Sequence, residues 1–368
     1  MKSLKPRKSG VVLVTGERKV PDHERAVHHS LAVRIATLLG TRFIEEPESY
    51  SHDLYYLPSR TLIGPRDADQ YGISTENDFY GGWVTEPFMA TKAISHPLAP
   101  GATAPAGWTP AFVEYAGAAL LPGWTVFNLD DARRMAIQML QRGPVRFKPV
   151  LATAGRGQKV ISNEAQIEPA LNELDARDLA SVGLVLEENL TEVQTFSVGQ
   201  VRLAGMVASY YGSQRLTQDN AGAEVYGGSD LTLVKGDYEA LLALAPTAEL
   251  QLAIEQARLY EQAAEKAFAP FVASRRNYDI ARGRNAQGEW ISGVMEQSWR
   301  AGGASSAEII ALEAFAANPS LTRVKASTYE VFGEGPTLPP DAILFYQGDD
   351  DEVGRISKFA RLEIIRGT

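Results

Sequence analysis

Residues 145–161 read VRFKPVLATAGRGQKVI, and the fold predicted for the whole chain depends on this stretch. Its first part is typical of a β-strand, yet Lys148 stands in the middle, where an uncompensated charge is costly. The loop that follows contains two glycines and a basic residue but no acidic one. Because glycines let backbone N–H groups approach an anion closely, Gly155, Arg156 and Gly157 favour a phosphate-binding loop. The simpler alternative is a lysine that reaches solvent from an edge strand.

The segments around this stretch predict a small α+β lobe. A helix that Asp130 caps ends at Gly143, and a second helix begins near Asn163. The strand in GLVLEENL then ends in Glu187 and Glu188. Two adjacent acids are often only a solvated strand end. The functional alternative is a hinge whose backbone reads an adenine edge while a carboxylate binds ribose hydroxyls.

The N-terminal part of the chain predicts a β-α-β unit. Residues 11–14 form a strand, a helix begins after Pro21 and Asp22 and ends at Gly40, and TRFIEE forms a second strand. Residues 49–122 are rich in proline, glycine and aromatic side chains, and their pattern assigns no element.

The part of the chain after residue 190 predicts strands around one long helix. TFSVGQVRLAGMVASYY contains one or two strands, and the glycine-rich residues 212–230 form a connection before a strand at 231–234. A helix covers residues 247–268, because its apolar positions recur at helical spacing and a proline follows at position 270. Two hairpins end the chain, one around NAQGE and one around an acidic turn.

Two acidic residues on the strands of the NAQGE hairpin form a candidate metal site. Asp279 and Glu296 each interrupt an apolar strand pattern, and the hairpin makes their strands antiparallel neighbours. Facing carboxylates repel each other and raise a pKa, whereas Mg²⁺ would use both as oxygen ligands. In the alternative arrangement they point to opposite faces and pair with Arg275, Arg276 or Arg300.

Composition excludes several classes of function. The chain has 368 residues, 45% of them hydrophobic, and its net charge of -9 argues against a surface that wraps DNA or RNA. Cysteine is absent from the sequence, which excludes disulfides, thiolate nucleophiles and zinc–thiolate sites. The apolar run VVLVTG is too short for a signal sequence, and later segments are too polar to span a membrane. We therefore expect a cytoplasmic protein that binds neither nucleic acid nor membranes.

Together these motifs resemble the ATP-grasp superfamily between residues 11 and 306, and within it an uncharacterised bacterial branch. RFKPVLATAGRGQKVI resembles the phosphate-binding strand and glycine loop of the family, VLEENL its adenine hinge, and YDIARG with GVMEQSWRAGG its metal hairpin. The resemblance implies an α/β and α+β fold in which two α+β lobes clasp ATP. It places a Rossmann-like lobe at residues 1–125, the small ATP-grasp lobe at 126–190 and the large lobe at 191–368.

The resemblance also implies roles for individual residues. The residues that would contact ATP are Lys148, Gly155, Arg156, Gly157, Glu187, Glu188, Leu190 and Gln194. Asp279 and Glu296 would hold Mg²⁺ or Mn²⁺. The sequence departs from the family pattern at Ser298, where asparagine usually completes the metal site, and at Gln194, where many members have a ribose-binding glutamate.

The implied activity is that of an ATP-dependent carboxylate ligase forming a C–N bond. Its small-molecule substrates would be a carboxylate, activated as an acyl phosphate, and an amine or other nucleophile. Arg300 is the first candidate for the arginine at the reacting centre, before Arg276 and Arg215. Two other hypotheses are a nucleotide-binding regulatory or assembly protein without turnover and an α/β scaffold with coincidental motifs. A homodimer is compatible with the family, and Lys92 and His96 receive no role from the sequence.

Overall fold

The computed structural model describes residues 8–16, 20–151 and 157–365 of the chain. In these residues the strands are β1 (Gly10–Val14), β2 (Phe43–Ile44), β3 (Leu54–Pro58), β4 (Leu62–Ile63), β5 (Gly82–Val84), β6 (Gly123–Val126), β7 (Val145–Pro149), β8 (Lys159–Ile161), β9 (Leu184–Glu188), β10 (Thr191–Leu203), β11 (Met206–Gln218), β12 (Glu224–Lys235), β13 (Val272–Ala273), β14 (Arg275–Arg284), β15 (Trp290–Ser298), β16 (Arg323–Phe332), β17 (Ile343–Asp350) and β18 (Gly354–Ile364). The α-helices are α1 (Asp22–Leu38), α2 (Gly64–Tyr71), α3 (Ala111–Ala116), α4 (Leu129–Leu140), α5 (Ile167–Leu171), α6 (Ala176–Val182), α7 (Tyr238–Leu242), α8 (Ala248–Ala267) and α9 (Ser305–Ala317).

The N-terminal lobe contains the predicted β-α-β unit. Strand β1 lies between β2 and β3, both parallel to it, and α1 connects β1 to β2. The unassigned residues 49–122 form β3, β4, β5 and the short helices α2 and α3, and β4 and β5 join β13 in a second small sheet with the order β13-β5-β4. The β-α-β prediction is therefore confirmed, while the domain limits proposed at 125 and 190 stay predictions.

The small lobe is an antiparallel four-stranded sheet in the order β6-β9-β7-β8. Helix α4 packs on it through Met135, Ala136 and Met139, which are buried at helical spacing. Asn128 caps this helix, because its side chain accepts a hydrogen bond from the N–H of Asp131 at 2.8 Å. The prediction of Asp130 as the cap was wrong by two positions, and Asp130 instead lies in the first turn.

The large lobe is built on an eight-stranded sheet in the order β15-β14-β10-β11-β12-β16-β18-β17. Residues 212–230 are not a connection, since most of them continue β11 and β12 as paired strands. The glycines there allow strands to approach each other: a Cβ at Gly212 would lie 2.0 Å from the carbonyl oxygen of Asp230, and one at Gly228 would lie 2.0 Å from that of Thr328. The turn itself is short and lies around Asp219.

Helices α8 and α9 cover the two faces of this sheet. Helix α8 begins after Thr247, whose side chain accepts a hydrogen bond from the N–H of Leu250, and its bounds confirm the helix predicted at residues 247–268. It packs against Val198 and Tyr278 on one face, and α9 packs against the opposite face. No helix in the described ranges is long and apolar enough to cross a membrane.

Candidate functional site

Three buried charged or polar side chains meet beside the small sheet. The ammonium group of Lys148 on β7 lies 2.5 Å from Oε1 of Glu187 on β9, and Nε2 of His96 lies 3.1 Å from Oε2 of the same carboxylate. The side chains of Lys148 and Glu187 are each 4% exposed, and that of His96 is 0% exposed. We call Lys148, Glu187 and His96 the small-sheet cluster.

Glu187 in this cluster is an ionised carboxylate. Burial raises its pKa, but the charge of Lys148 and the hydrogen bond from His96 outweigh burial and lower the pKa to about 2. Among the described residues, Glu187 is the partner that the structure shows for the ammonium group of Lys148. An ammonium group has three N–H donors, and within residues 8–16, 20–151 and 157–365 one acidic partner contacts that of Lys148. The lysine is therefore not a solvent-exposed strand lysine.

Two carboxylates face each other on the β14–β15 hairpin. Asp279 and Glu296 are directly paired across the two antiparallel strands, at the edge of a β-bulge. Gln214 donates a hydrogen bond to Oδ1 of Asp279 at 2.9 Å, and the ammonium group of Lys92 lies 2.7 Å from Oε2 of Glu296. Burial, together with the charge of Glu296, raises the pKa of Asp279 to about 6. We call Asp279, Glu296 and Lys92 the hairpin cluster.

One short segment connects the two clusters. Lys92 begins the 3₁₀ helix Lys92–Ser95, and His96 follows it directly. Since a chain spans at most about 3.5 Å per residue, the Cα atoms of Lys92 and His96 lie within about 14 Å of each other. Gln297, next to Glu296, holds the residues just before this segment, because it donates hydrogen bonds to the carbonyl oxygens of Met89 and Thr91 at 3.1 and 2.6 Å. The segment therefore fixes the position of the small sheet relative to the β14–β15 hairpin.

Sequence reasoning missed Lys92 and His96 as parts of the site. The available signal was a pair of basic residues four positions apart in FMATKAISHPL, an otherwise apolar segment. Both side chains are buried, at 4% and 0% relative exposure. Buried basic residues need counter-charges, and these counter-charges come from strands far along the chain.

The two carboxylates of the hairpin cluster are the residues that could hold a divalent cation, and the ammonium group of Lys92 already lies beside one of them. Asp279 and Glu296 supply oxygen ligands of the kind that Mg²⁺ prefers, and their mutual repulsion is what a bound cation would relieve. In the part of the chain that the structure describes, no group of three or more His, Asp and Glu side chains is arranged to hold a metal. The hydroxyl of Ser298 accepts a hydrogen bond from Nη1 of Arg275 at 3.2 Å, so a guanidinium cation already lies beside it. The remaining metal ligands would come from water or phosphate.

The three candidate arginines lie in different surroundings. Arg276 is three positions from Asp279 on β14, hence on the opposite face, where it pairs with Glu261 at 3.1 Å. Arg215 pairs with Asp230 at 2.8 Å, and its guanidinium lies 4.1 Å from the ring centroid of Tyr329. The structure therefore does not bring Arg276 to the hairpin carboxylates.

Arg300 follows Glu296 by four residues, just beyond the end of β15. Its Nη1 donates a hydrogen bond to the carbonyl oxygen of Ala301 at 2.9 Å. Burial lowers the pKa of Arg300, while the carboxylates of Glu24 and Glu296 act in the opposite direction. Arg300 thus lies between the hairpin cluster and helix α1.

A fully buried ion pair fixes the main chain between Ser298 and Arg300. Arg275 Nη2 lies 2.8 Å from Oε1 of Glu308 on α9, and both side chains are at most 1% exposed. Arg275 Nη1 donates hydrogen bonds to the carbonyl oxygens of Ser298 and Arg300 at 3.0 and 2.7 Å. The segment that leads from Glu296 to Arg300 is therefore held from inside the protein.

The predicted adenine edge is only partly free. The N–H of Glu188 donates to the carbonyl oxygen of Pro122 at 3.1 Å, and its side chain lies 3.5 Å from Arg142. Leu190 is buried, whereas Gln194 is exposed and accepts a hydrogen bond from Arg282 at 3.4 Å. Glu187 points its carboxylate at Lys148 and His96, away from a role in binding ribose hydroxyls.

Of the predicted glycine loop, Gly155 to Gly157, the structure describes Gly157. Gly157 adopts a φ of +69°, a left-handed conformation that glycine tolerates without strain. Gly155 and Arg156 lie outside the described residues. The contribution of this loop to phosphate binding stays a prediction.

Comparison with known proteins identifies a family and a fold. The family model described as "Protein of unknown function (DUF3182)" matches residues 11–360, and no curated protein matches the chain. The structure of N5-carboxyaminoimidazole synthetase from Staphylococcus aureus complexed with ADP is similar over 97% of this chain and 94% of that chain, with a TM-score of 0.55 and 12% identity. Biotin carboxylase from Campylobacter jejuni, in a β-γ-ATP complex, is similar over 97% and 88%, with a TM-score of 0.50 and 11% identity. The chain has the ATP-grasp fold, as the resemblance implied.

Proposed function

The chain belongs to the DUF3182 family, and we propose that it is an ATP- and Mg²⁺-dependent ligase acting on a substrate carboxylate. The observation that supports this proposal most is that one short segment, from Lys92 to His96, contributes a residue to each of the two clusters. A buried lysine, for which the described part of the chain shows one acidic partner, lies on the small sheet, and a repelling carboxylate pair lies on the large sheet. Such a site suits a polyphosphate bound between the sheets with a divalent cation.

In this proposal each cluster performs one part of phosphoryl transfer. Lys148 binds phosphate oxygens, and Asp279 and Glu296 hold the cation at the other side. Mg²⁺, when bound, neutralises phosphate oxygens as the γ-phosphoryl group leaves ADP. Arg300 orients the substrate carboxylate, whose oxygen forms the new bond to phosphorus. An amine then attacks the acyl phosphate, forms a C–N bond, loses a proton and releases phosphate.

The similar structures are compatible with this reaction class. The two proteins compared above are a synthetase and a carboxylase, both crystallised with nucleotides. At 11 and 12% identity the similarity supports the fold of this chain alone, so the reaction is argued from the site. Its carboxylate and amine substrates are small molecules in this proposal.

A nucleotide-binding regulatory protein without turnover is the second candidate. The observation that favours it is the hydrogen bond from Arg275 to Ser298, because it engages the side chain at the position where asparagine usually completes the metal site. Gln194 provides further support, because it replaces the ribose-binding glutamate and is exposed. Such a protein would bind ATP and release no ADP.

Binding of Mg²⁺–ATP, measured by calorimetry, tests the proposed site. Lys148→Ala and Glu296→Gln each remove one proposed contact, and we expect each to weaken binding by about 1.5–3 kcal/mol, typical for hydrogen bonds to charged groups. Lys159→Ala and Glu289→Gln are matched controls, because these residues lie on the same lobe and the same hairpin but outside both clusters. Equal affinity of all five proteins would contradict the proposed site.

Substrate-dependent ADP release separates the two candidates. The wild-type protein is incubated with Mg²⁺–ATP and pools of carboxylates and amines, and ADP is measured by a coupled assay. Release that requires one carboxylate pool, and that Glu296→Gln abolishes, supports the ligase. Tight ATP binding with no release in any pool supports the regulatory candidate.

A further inference from the structure

Both ring nitrogens of His96 face hydrogen-bond acceptors. Nδ1 lies 3.0 Å from the carbonyl oxygen of Leu121, and Nε2 lies 3.1 Å from Oε2 of Glu187. A carbonyl oxygen only accepts hydrogen bonds, so Nδ1 carries a proton. A neutral imidazole has one N–H, and its other nitrogen would then face the oxygen of Glu187 without a proton.

The proton between His96 and Glu187 belongs to the histidine. Glu187 is flanked by the ammonium group of Lys148 at 2.5 Å, and its pKa is lowered to about 2 by this charge and by His96, against the effect of burial. An ionised carboxylate accepts hydrogen bonds only, so Nε2 of His96 must be the donor. Both nitrogens of His96 are therefore protonated.

We propose that His96 is a buried imidazolium cation, so that the small-sheet cluster has a net charge of +1 and recruits an anionic group of its ligand. The charge follows from two cations, Lys148 and His96, and one anion, Glu187. This inference rests on the proposed nucleotide site and specifies the chemistry that the small sheet selects. A phosphate group meets that requirement, and a neutral nucleoside does not.

Other ionisable groups around His96 do not cancel this charge. Lys92, on the same segment, pairs with Glu296 on β15. Tyr260 on α8 shares a hydrogen bond with Ser95 at 2.9 Å, and burial raises its pKa further above the neutral range. The excess charge therefore stays on the small-sheet cluster, where burial makes an unbalanced cation costly.

The backbone around His96 is adapted to its ring. A Cβ at Gly123 on β6 would lie 2.9 Å from Nδ1 of His96, so glycine leaves the space that the imidazole fills. The neighbouring residue Leu121 supplies the carbonyl acceptor. His96 is thus held by the main chain on one side and by Glu187 on the other, which fixes the carboxylate against Lys148.

Nuclear magnetic resonance tests the charge of His96 without a ligand. The full chain is labelled with ¹⁵N in its histidine rings, and His96→Gln assigns the signal. At neutral pH we expect two protonated ring nitrogens for His96. One protonated and one unprotonated nitrogen would overturn the inference, whether or not the protein binds ATP.

Ligand binding tests the functional consequence of the charge. We expect His96→Gln to weaken the binding of ADP and of inorganic pyrophosphate by about tenfold or more, because it removes a charge near the anion. The affinity for adenosine should change by less than about twofold. His52→Gln is the matched control, since that side chain is 81% exposed and distant in the fold from the small sheet. Equal weakening of all three ligands would show a purely structural role and overturn the inference.

The wild-type protein separates failure of this inference from failure of the proposed function. If it binds pyrophosphate but not ADP, the anion site stands and the nucleotide function fails. If it binds neither at millimolar concentration, the anion requirement is overturned. Should His96→Gln fail to fold, replacing the other four histidines one at a time assigns the His96 signal by elimination, and the comparison of ADP with adenosine binding uses the wild-type protein alone.

Discussion

Two buried ion pairs in this molecule are constructed differently. In the large lobe, Arg275 pairs with Glu308, and the remaining guanidinium nitrogen donates to main-chain oxygens. Glu308 also accepts a hydrogen bond from the hydroxyl of Tyr210 at 2.6 Å. In the small lobe, Lys148 pairs with Glu187, and the structure shows no second partner for its ammonium group among the described residues.

This difference distinguishes a structural ion pair from the ion pair of the proposed binding site. Every nitrogen of the Arg275 guanidinium has a partner, so the pair fixes α9 to β14 and has no capacity for a ligand. For the three N–H donors of Lys148 the described residues show one partner, Glu187, and the predicted phosphate loop follows in the sequence. The burial and charge of the two ion pairs are similar, so neither property shows which pair could bind a ligand. The number of hydrogen-bond partners of the cation distinguishes them.

The largest expected effect is on stability, from removal of the structural pair. Arg275→Met leaves Glu308 buried without a counter-charge, and we expect the free energy of unfolding to fall by about 3–5 kcal/mol. Urea unfolding followed by circular dichroism measures the change. Arg361→Met is the control, because its pair with Asp341 is about half exposed and should contribute about 0–1 kcal/mol. A loss of unfolding free energy below about 1 kcal/mol in Arg275→Met would mean that the buried pair stabilises the fold no more than the exposed pair of Arg361 with Asp341.

The second effect is the acid dependence of stability that Glu187 contributes. Its pKa is near 4.5 in the unfolded chain and is lowered to about 2 in the folded protein, so the folded state favours the ionised form. This stabilisation is complete above about pH 4.5 and is lost as the pH falls toward 2. It amounts to about 3 kcal/mol by proton linkage.

Urea unfolding between pH 2 and pH 6 measures this contribution. Glu187→Gln should show a shallower loss of unfolding free energy below pH 4.5 than the wild-type protein. The exposed Glu173→Gln serves as the control and should follow the wild-type curve. Parallel curves for all three proteins would mean that Lys148 and His96 do not stabilise the charged form of Glu187.

Local patterns predicted most of the fold. The apolar period and Pro270 predicted α8, and the turn NAQGE predicted the β14–β15 hairpin. Residues 212–230 were predicted wrongly, because glycine was interpreted as a turn signal. In this sheet glycine lets neighbouring strands approach closely, and a single sequence does not distinguish that use from a turn.

The candidate site was predictable only where it depends on local pairing. The hairpin turn fixes the register that places Asp279 opposite Glu296. Strand alternation also shows that Arg276, three positions away, points to the other face, and the sequence prediction overlooked this. The prediction had the information needed to rank Arg276 lower.

The partners of the charged residues could not be predicted from local sequence. His96 meets Glu187 across 91 residues, and Lys92 meets Glu296 from an even greater distance along the chain. These contacts depend on how the lobes pack, which periodicity does not encode. The consequence is that Glu187, predicted to contact the nucleotide, is the counter-ion of Lys148.

The smallest expected effect comes from the glycine that makes room for His96. A Cβ at Gly123 would lie 2.5 Å from the carbonyl oxygen of Leu186 as well as near the imidazole, so Gly123→Ala forces β6 and β9 apart. We expect a loss of about 1–3 kcal/mol in unfolding free energy, typical of overpacking. Gly117→Ala is the matched control, since position 117 has a helical backbone and open space around an added Cβ, and the substitution should be neutral or slightly stabilising.

Because the overpacking also displaces His96, Gly123→Ala should weaken ADP binding more than adenosine binding. If stability falls but the affinities for ADP and adenosine fall equally, the close packing around His96 is structural, and the charge of the small-sheet cluster does not contribute to ligand binding.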